Sequence, residues 1–277
     1  MRYSVNEANC QFSNLINHYT DPMIPTQKPS NSEQHTYGAR LTRREAIAGV
    51  GVTLTGSLAG CIGTGIFGSP GAHEDVVLEK PKNYDMLKSG ELAYPIHGEE
   101  VPAVMVPDLV TGGEISSRDF ITDRHIMITF MFTRCPGACP ALTSSLLHAQ
   151  ATAAENGYSE DIALMEYTFD PEYDTEEVFY EYADAMGINL DIGNWHFLRP
   201  ESEAHAEEVI TDTFGVWYDY ITEQQREEMD MHENMAYQHE NLILLVNKAG
   251  YVERAYEGQP PNPGTVVDDV NTLIDRW

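Results

Sequence analysis

Basic residues are scarce in this sequence: 16 Lys and Arg stand against 44 Asp and Glu in 277 residues, a formal net charge of -28. A surface of that sign repels phosphate backbones, so nucleic acid is excluded as a partner. Cysteine is also scarce, at four, too few for a disulfide-stapled scaffold in a chain of this length. Long apolar runs are missing too. The nearest approach, residues 46–60 (AIAGVGVTLTGSLAG), is too short and too rich in Gly and Thr to be a convincing membrane span. With 42% hydrophobic and 22% charged residues, the chain has the material for one core of ordinary size plus a non-globular tail. The acidic runs at 201–208 and 223–230 read as solvated helix faces.

The amino-terminal part carries an address rather than a fold. Residues 1–40 are polar, with Pro22, Pro25 and Pro29 and no sustained apolar period, and are expected to be disordered. Arg43 and Arg44 precede the weak apolar run, which closes on Leu58-Ala59-Gly60-Cys61. This order resembles a twin-arginine signal ending in a lipobox, which implies cleavage before Cys61 and lipidation of its thiol. The expected organisation is a leader over 1–60, a Gly-rich tether over 61–76 and a folded domain over 77–277. Residues 1–60 hold 5 basic and 4 acidic residues, so the acidic surplus belongs to the remainder. A surplus spread so widely resembles that of proteins adapted to very high salt, where repulsion is screened, and a halophilic archaeal source is the expectation.

Processing would discard Cys10 and lipidate Cys61, leaving Cys135 and Cys139 as the thiols with free chemistry. Such a pair outside the cytoplasm can be a disulfide, a redox dithiol or a metal clamp, and a bridge closing so short a loop would stabilise little. Residues 126–132 (IMITFMF) predict a strand buried on both faces. It runs into Thr133-Arg134-Cys135-Pro136-Gly137-Ala138-Cys139-Pro140, where Pro136 and Gly137 turn the chain and Pro140 suits a helix start. A helix over 141–155 follows, closed by Asn156-Gly157. The cysteines thus fall on a strand-to-helix loop, where unpaired amides and the helix dipole favour a thiolate. Further strands are predicted at 162–169, 195–198, 242–246 and 251–256, the last two as a hairpin, with helices at 175–186 and 265–276. Asp174 and Glu177 have capping-box spacing at the start of the first of these. Trp195, Phe197 and Leu198 are expected in the core and His196 facing outward. The order of elements predicts an α/β domain of thioredoxin-like fold, a central mixed sheet flanked by helices.

These residues together resemble the Sco/SenC family of copper chaperones. The stretch from Phe132 to Pro140 is similar to the family's copper-binding loop, and Asp170-Pro171-Glu172-Tyr173-Asp174-Thr175 to its Asp-Pro segment. Asn194-Trp195-His196-Phe197-Leu198 is similar to its Trp-x-Phe-Leu stretch, and His239 falls where the family places its copper histidine. Gly137-Ala138 departs from the common Asp-Val, removing a carboxylate from the loop. The resemblance implies copper, Cu(I) or Cu(II), held by Cys135, Cys139 and His239, with His232 as the fallback third ligand. It also implies delivery to the copper-site subunit of a haem-copper oxidase on the outer face of the cell membrane.

Two thiolates and one imidazole suit soft, low-coordinate Cu(I) and leave a side open for transfer. Met229, Met231, His232 and Met235 offer a Met/His copper uptake patch or ordinary packing. Asp174 reads as a helix cap and Asp170 as a supporting or docking group. A thiol-disulfide oxidoreductase using Cys135 or Cys139 remains the alternative. Spacing argues against it, since dedicated oxidoreductases resemble CxxC proteins with a proline where Glu240-Asn241 stand here. Nothing arranges arginine and threonine around a single cysteine as a thiol peroxidase would require.

Overall fold

In the computed structural model, residues 75–89 and 92–277 are described. The leader and most of the tether, with Cys10, Arg43, Arg44 and Cys61, lie outside the described residues. A short helix α1 (Tyr84–Ser89) precedes a two-stranded hairpin of β1 (Met105–Pro107) and β2 (Glu114–Ser116). The central sheet is then laid down by β3 (His125–Met131), α2 (Cys139–Asn156), β4 (Ile162–Thr168), α3 (Glu176–Met186) and β5 (Trp195–Leu198). A short helix α4 (Glu203–Ala206) continues as a π-helical turn over Glu207–Thr213. Next come β6 (Tyr218–Tyr220), α5 (Glu223–Glu228), β7 (Tyr237–His239), β8 (Leu242–Val246), β9 (Val252–Glu257) and α6 (Pro263–Arg276).

The sheet order is β5-β4-β3-β8-β9. β3, β4 and β5 are parallel, whereas β8 runs antiparallel to β3 and to β9. Every residue of β3, β4, β5 and β8 is buried, as near-continuous apolar strands covered on both faces must be. α2 packs against α6 and reaches α3. On the opposite face Phe214 packs its ring against Phe130 and Tyr167. The mixed sheet flanked by helices is therefore as the residues imply, with boundaries shifted by at most two positions.

The antiparallel turn of β8 decides where the site forms. Because Ile243 sits opposite Thr129, the chain entering β8 arrives beside the carboxyl end of β3. β3 leads into the cysteine loop at that end, so His239, three residues ahead of β8, is delivered to the same end of the sheet. The strand β7 that carries it pairs with β6 in a separate two-stranded sheet, which is absent from the strands that the sequence predicts. Gly215 closes the turn into β6 at φ +75, and a Cβ there would lie 2.1 Å from the Ala93 carbonyl oxygen. Only glycine fits that contact.

Two expectations are corrected. His196 does not face outward: it is buried, and its Nδ1 lies 3.0 Å from Asp108 Oδ2. Alternation fails there because the far face of β5 is not open. Asp108 bridges to Leu198 at the sheet edge, and Phe120 packs on the imidazole at 4.9 Å between centroids. Nor does Asp174 cap α3. Thr175 is the cap residue, accepting from the Val178 amide, while Asp174 is drawn beneath the cysteine loop.

Glu166 is fully buried on β4, accepting from Thr143 Oγ1 at 2.6 Å, and Tyr182 adds its hydroxyl to the same Thr143 oxygen at 2.7 Å. Burial pushes its carboxyl up to about 7. A folded-state value above the unfolded one means stability fully present below about pH 4.5 and lost as pH rises through 7. Relative to Glu166→Gln, the parent is expected to lose about 2 kcal/mol between about pH 5 and 8, whatever constant offset the substitution adds. Denaturant unfolding of both proteins across that range checks it. Parallel pH profiles would refute the assignment.

Candidate metal centre

Cys135 follows the last buried residues of β3 and turns back, its amide donating to the Phe132 carbonyl at 3.2 Å. Cys139 is the first residue of α2, with Pro140 next, so the proline ring sits where no amide is needed. Ala138 offers no side-chain cap. The free amides at this helix start turn instead to sulfur: Gly137 N–H donates to Cys135 Sγ at 3.4 Å, and the Cys139 amide favours the same thiolate.

The electrostatics split the two thiols. A hydrogen bond from the Cys139 thiol, joined by the Cys139 and Gly137 amides, holds Cys135 below the ordinary thiol value against the opposing effect of burial. Burial, reinforced by the neighbouring Cys135 sulfur, pushes Cys139 well up. Cys135 is therefore the resting thiolate, and it keeps slight exposure while Cys139 has none. Neither forms a disulfide.

His239 closes the triangle. Its Nδ1 lies 2.9 Å from the Glu240 carbonyl oxygen, an acceptor only, so Nδ1 carries the proton and Nε2 presents its lone pair. That Nε2 is 3.4 Å from Cys139 Sγ. One ligand atom from each of Cys135, Cys139 and His239 lies within 4.8 Å of the other two. An ion making bonds of about 2.0–2.3 Å to nitrogen and sulfur holds three donors roughly 3.5–4 Å apart, so the group fits a metal with little movement. The backbone carbonyl that orients the imidazole does the supporting work expected around a metal-binding histidine. Phe169 packs on that ring at 4.9 Å and Phe132 at 6.2 Å, forming an apolar wall.

A polar tie holds the three parts in register. Arg134, beside Cys135, donates to Asp170 Oδ2 through Nε at 3.0 Å and Nη2 at 2.8 Å, and Tyr237, two residues before His239, donates to Oδ1 at 3.3 Å. Asp170 thus joins the cysteine loop, the Asp-Pro segment and the histidine strand. Asp174 receives the Thr133 amide and the hydroxyls of Thr133 and Thr168, and burial pushes its carboxyl up to about 6.

Among the residues singled out in the sequence, the structure brings Cys135, Cys139 and His239 together and leaves His232 out of that group. His232 is exposed, its Nδ1 accepting from the Asn234 amide at 3.1 Å. Met229 is exposed, Met231 half-buried, and Met235 half-buried against Gly137. The Glu240 carbonyl and the role of Tyr237 have no signal in the sequence, since a backbone acceptor leaves no motif. Arg134 and Asp170 lie inside the two motif segments, but 36 positions apart.

The family model for SCO1/SenC matches residues 109–275. The SCO2-like protein of Rickettsia prowazekii is 28% identical over 147 residues, which cover 52% of this chain and 64% of that relative, so the chain spans a little under two thirds of its length. The crystal structure of a SCO1/SenC family lipoprotein from Bacillus anthracis superposes with a TM-score of 0.51 at 20% identity, covering 66% of this chain and 99% of that one. That likeness makes the fold thioredoxin-like. The yeast Sco1 structure with copper bound has a TM-score of 0.49 at 17% identity, covering 66% and 91%. With the family model spanning the cysteine loop, the Asp-Pro segment and His239, the chain belongs to the SCO1/SenC family.

Proposed function

We propose that this protein is an extracytoplasmic copper metallochaperone that holds copper through Cys135, Cys139 and His239 and delivers it to the copper site of a haem-copper oxidase. The observation that carries the reading is the convergence of two sulfurs and an Nε2 lone pair within 4.8 Å. This donor set is soft, low in number and made from one loop and one distant strand, so it selects Cu(I), accepts Cu(II) and leaves a side free for ligand exchange. Copper here is cargo. The experiment is a Cu(I) competition titration of the chain carrying Cys10→Ser and Cys61→Ser, beside the same protein with its two remaining thiols alkylated. One equivalent bound by the first and none by the second supports the reading; equal binding overturns it.

The resting thiolate at Cys135 favours one second reading, a membrane-anchored thiol-disulfide reductase that keeps a target's cysteines reduced. Export by the twin-arginine route and anchoring through a lipidated Cys61 are supported by the order Arg43-Arg44, weak apolar run and Leu58-Ala59-Gly60-Cys61. No described helix is long and apolar enough to cross a membrane. Mass spectrometry of the cell-associated protein is expected to find a mature terminus at a modified Cys61, and an intact 1–60 segment would overturn this. A halophilic source is supported by the net charge of -28. Its melting temperature should rise as salt goes from about 0.1 M to about 1 M, where the screening length falls from ~10 to ~3 Å. A flat or falling profile would remove that support.

A further inference from the structure

The three donors, two sulfurs and one nitrogen, leave one flank of the site without a ligand, and the thioether side chain of Met235 borders it. Cys139 is sealed, and the rings of Phe132 and Phe169 wall the site beside His239. The remaining approach lies over Cys135 and the bare backbone of Gly137. A Cβ built on Gly137 would lie 3.4 Å from the Met235 methyl carbon and 3.7 Å from Cys135 Sγ. The Met235 methyl and the Cys135 sulfur thus both border the space that the glycine leaves open.

Met235 is held at that place by backbone bonds rather than by chance of packing. Its amide donates to the His232 carbonyl at 2.9 Å, the next amide, Ala236, donates to Asn234 O at 2.9 Å, and Ala236 O accepts from Ile221 at 2.8 Å. The following residue is Tyr237, tied to Asp170 and hence to Arg134 of the cysteine loop. The backbone at Met235 is therefore anchored to the same frame as the ligands, while its unbranched side chain keeps rotamer freedom. A thioether is soft and neutral. It adds a donor for Cu(I) without adding a third negative charge, and it offers little to Cu(II), which prefers nitrogen and oxygen.

We infer that Met235 is a labile fourth donor, closing on Cu(I) at the open flank of the site and biasing it toward the cuprous ion. This rests on the copper reading above and specifies which side of the site exchanges.

The test uses the full chain with Cys10→Ser and Cys61→Ser, loaded with Cu(I) or Cu(II), and compares Met235→Leu and Met235→Ala with the parent. X-ray absorption of the Cu(I) form should count three sulfur scatterers in the parent and two in Met235→Leu. By competition titration, Met235→Leu should bind Cu(I) about tenfold more weakly and hold Cu(II) within about twofold of the parent. Leucine keeps the apolar volume, so an unchanged Cu(I) affinity in Met235→Leu beside a weakened Met235→Ala would mean an apolar cover only and overturn the proposal. Two sulfurs in the parent would overturn it without reference to any variant's folding. Retention of Cu(I) by Cys135→Ser in the same assay would instead sink the copper reading itself.

Discussion

Cys135→Ser and Cys139→Ser are each expected to weaken Cu(I) binding by more than about a hundredfold, whereas His239→Ala should cost Cu(II) far more than Cu(I). The asymmetry follows from what each change leaves behind. Without one cysteine, the ion keeps a single thiolate and the Nε2 of His239, and the lost sulfur is replaced by a hydroxyl that does not ionise. Without His239, two thiolates remain on one loop, enough for a low-coordinate Cu(I) but poor for Cu(II). Cys139→Ser should also hurt slightly more than Cys135→Ser. Its thiol is the largest influence holding Cys135 in the thiolate form, so its removal weakens both sulfurs at once. His232→Ala should leave both affinities near the parent, because His232 stands apart from the group. Competition titration with each oxidation state checks all four variants. If His239→Ala bound both ions like the parent while His232→Ala did not, the third ligand would be misassigned.

The parts of the fold that show in the sequence are those whose physics is local. β3, β4 and β8 are largely apolar runs, interrupted by Thr129 in β3 and Glu166 in β4, and α2 ends at an Asn156-Gly157 pair whose glycine adopts the left-handed conformation. β1, β2, β6 and β7 are three residues each and mostly half-buried or exposed. No alternation can be read from three positions, and their pairing is imposed by the chain that packs around them. The two misread side chains have the same origin. Spacing along their own elements points His196 outward and Asp174 to a helix cap, whereas their partners, Asp108 and Thr133, are 88 and 41 positions away. In the site, the thiols and imidazole are legible because soft-metal chemistry needs those residue types. The atoms that aim them are not: the Glu240 carbonyl is backbone, and the Arg134–Asp170–Tyr237 tie exists only once three segments meet.

In cells, His239→Ala is the substitution that separates a chaperone from a reductase, since both roles need Cys135 and Cys139 but copper handover alone needs the imidazole. The variant should keep a dithiol that oxidises and reduces. Its Cys135 should remain the more acidic thiol, because the Cys139 thiol and two backbone amides hold it there. Oxidase in such cells is nevertheless expected to lack metal at its copper site, and added copper should rescue it only partly, because the geometry of transfer is lost rather than the supply. The Nε2 that the Glu240 carbonyl aims at Cys139 is the one ligand from a distant strand, so its loss removes the geometry that presents the ion at the open flank as well as affinity. A reductase predicts the reverse, since thiolate attack proceeds from Cys135 with no ligand at position 239. Metal analysis of the purified oxidase, beside a thiol-trapping assay of the variant, reads both quantities in one strain. Full copper occupancy in His239→Ala cells with failure in both cysteine variants would overturn the chaperone and leave the reductase.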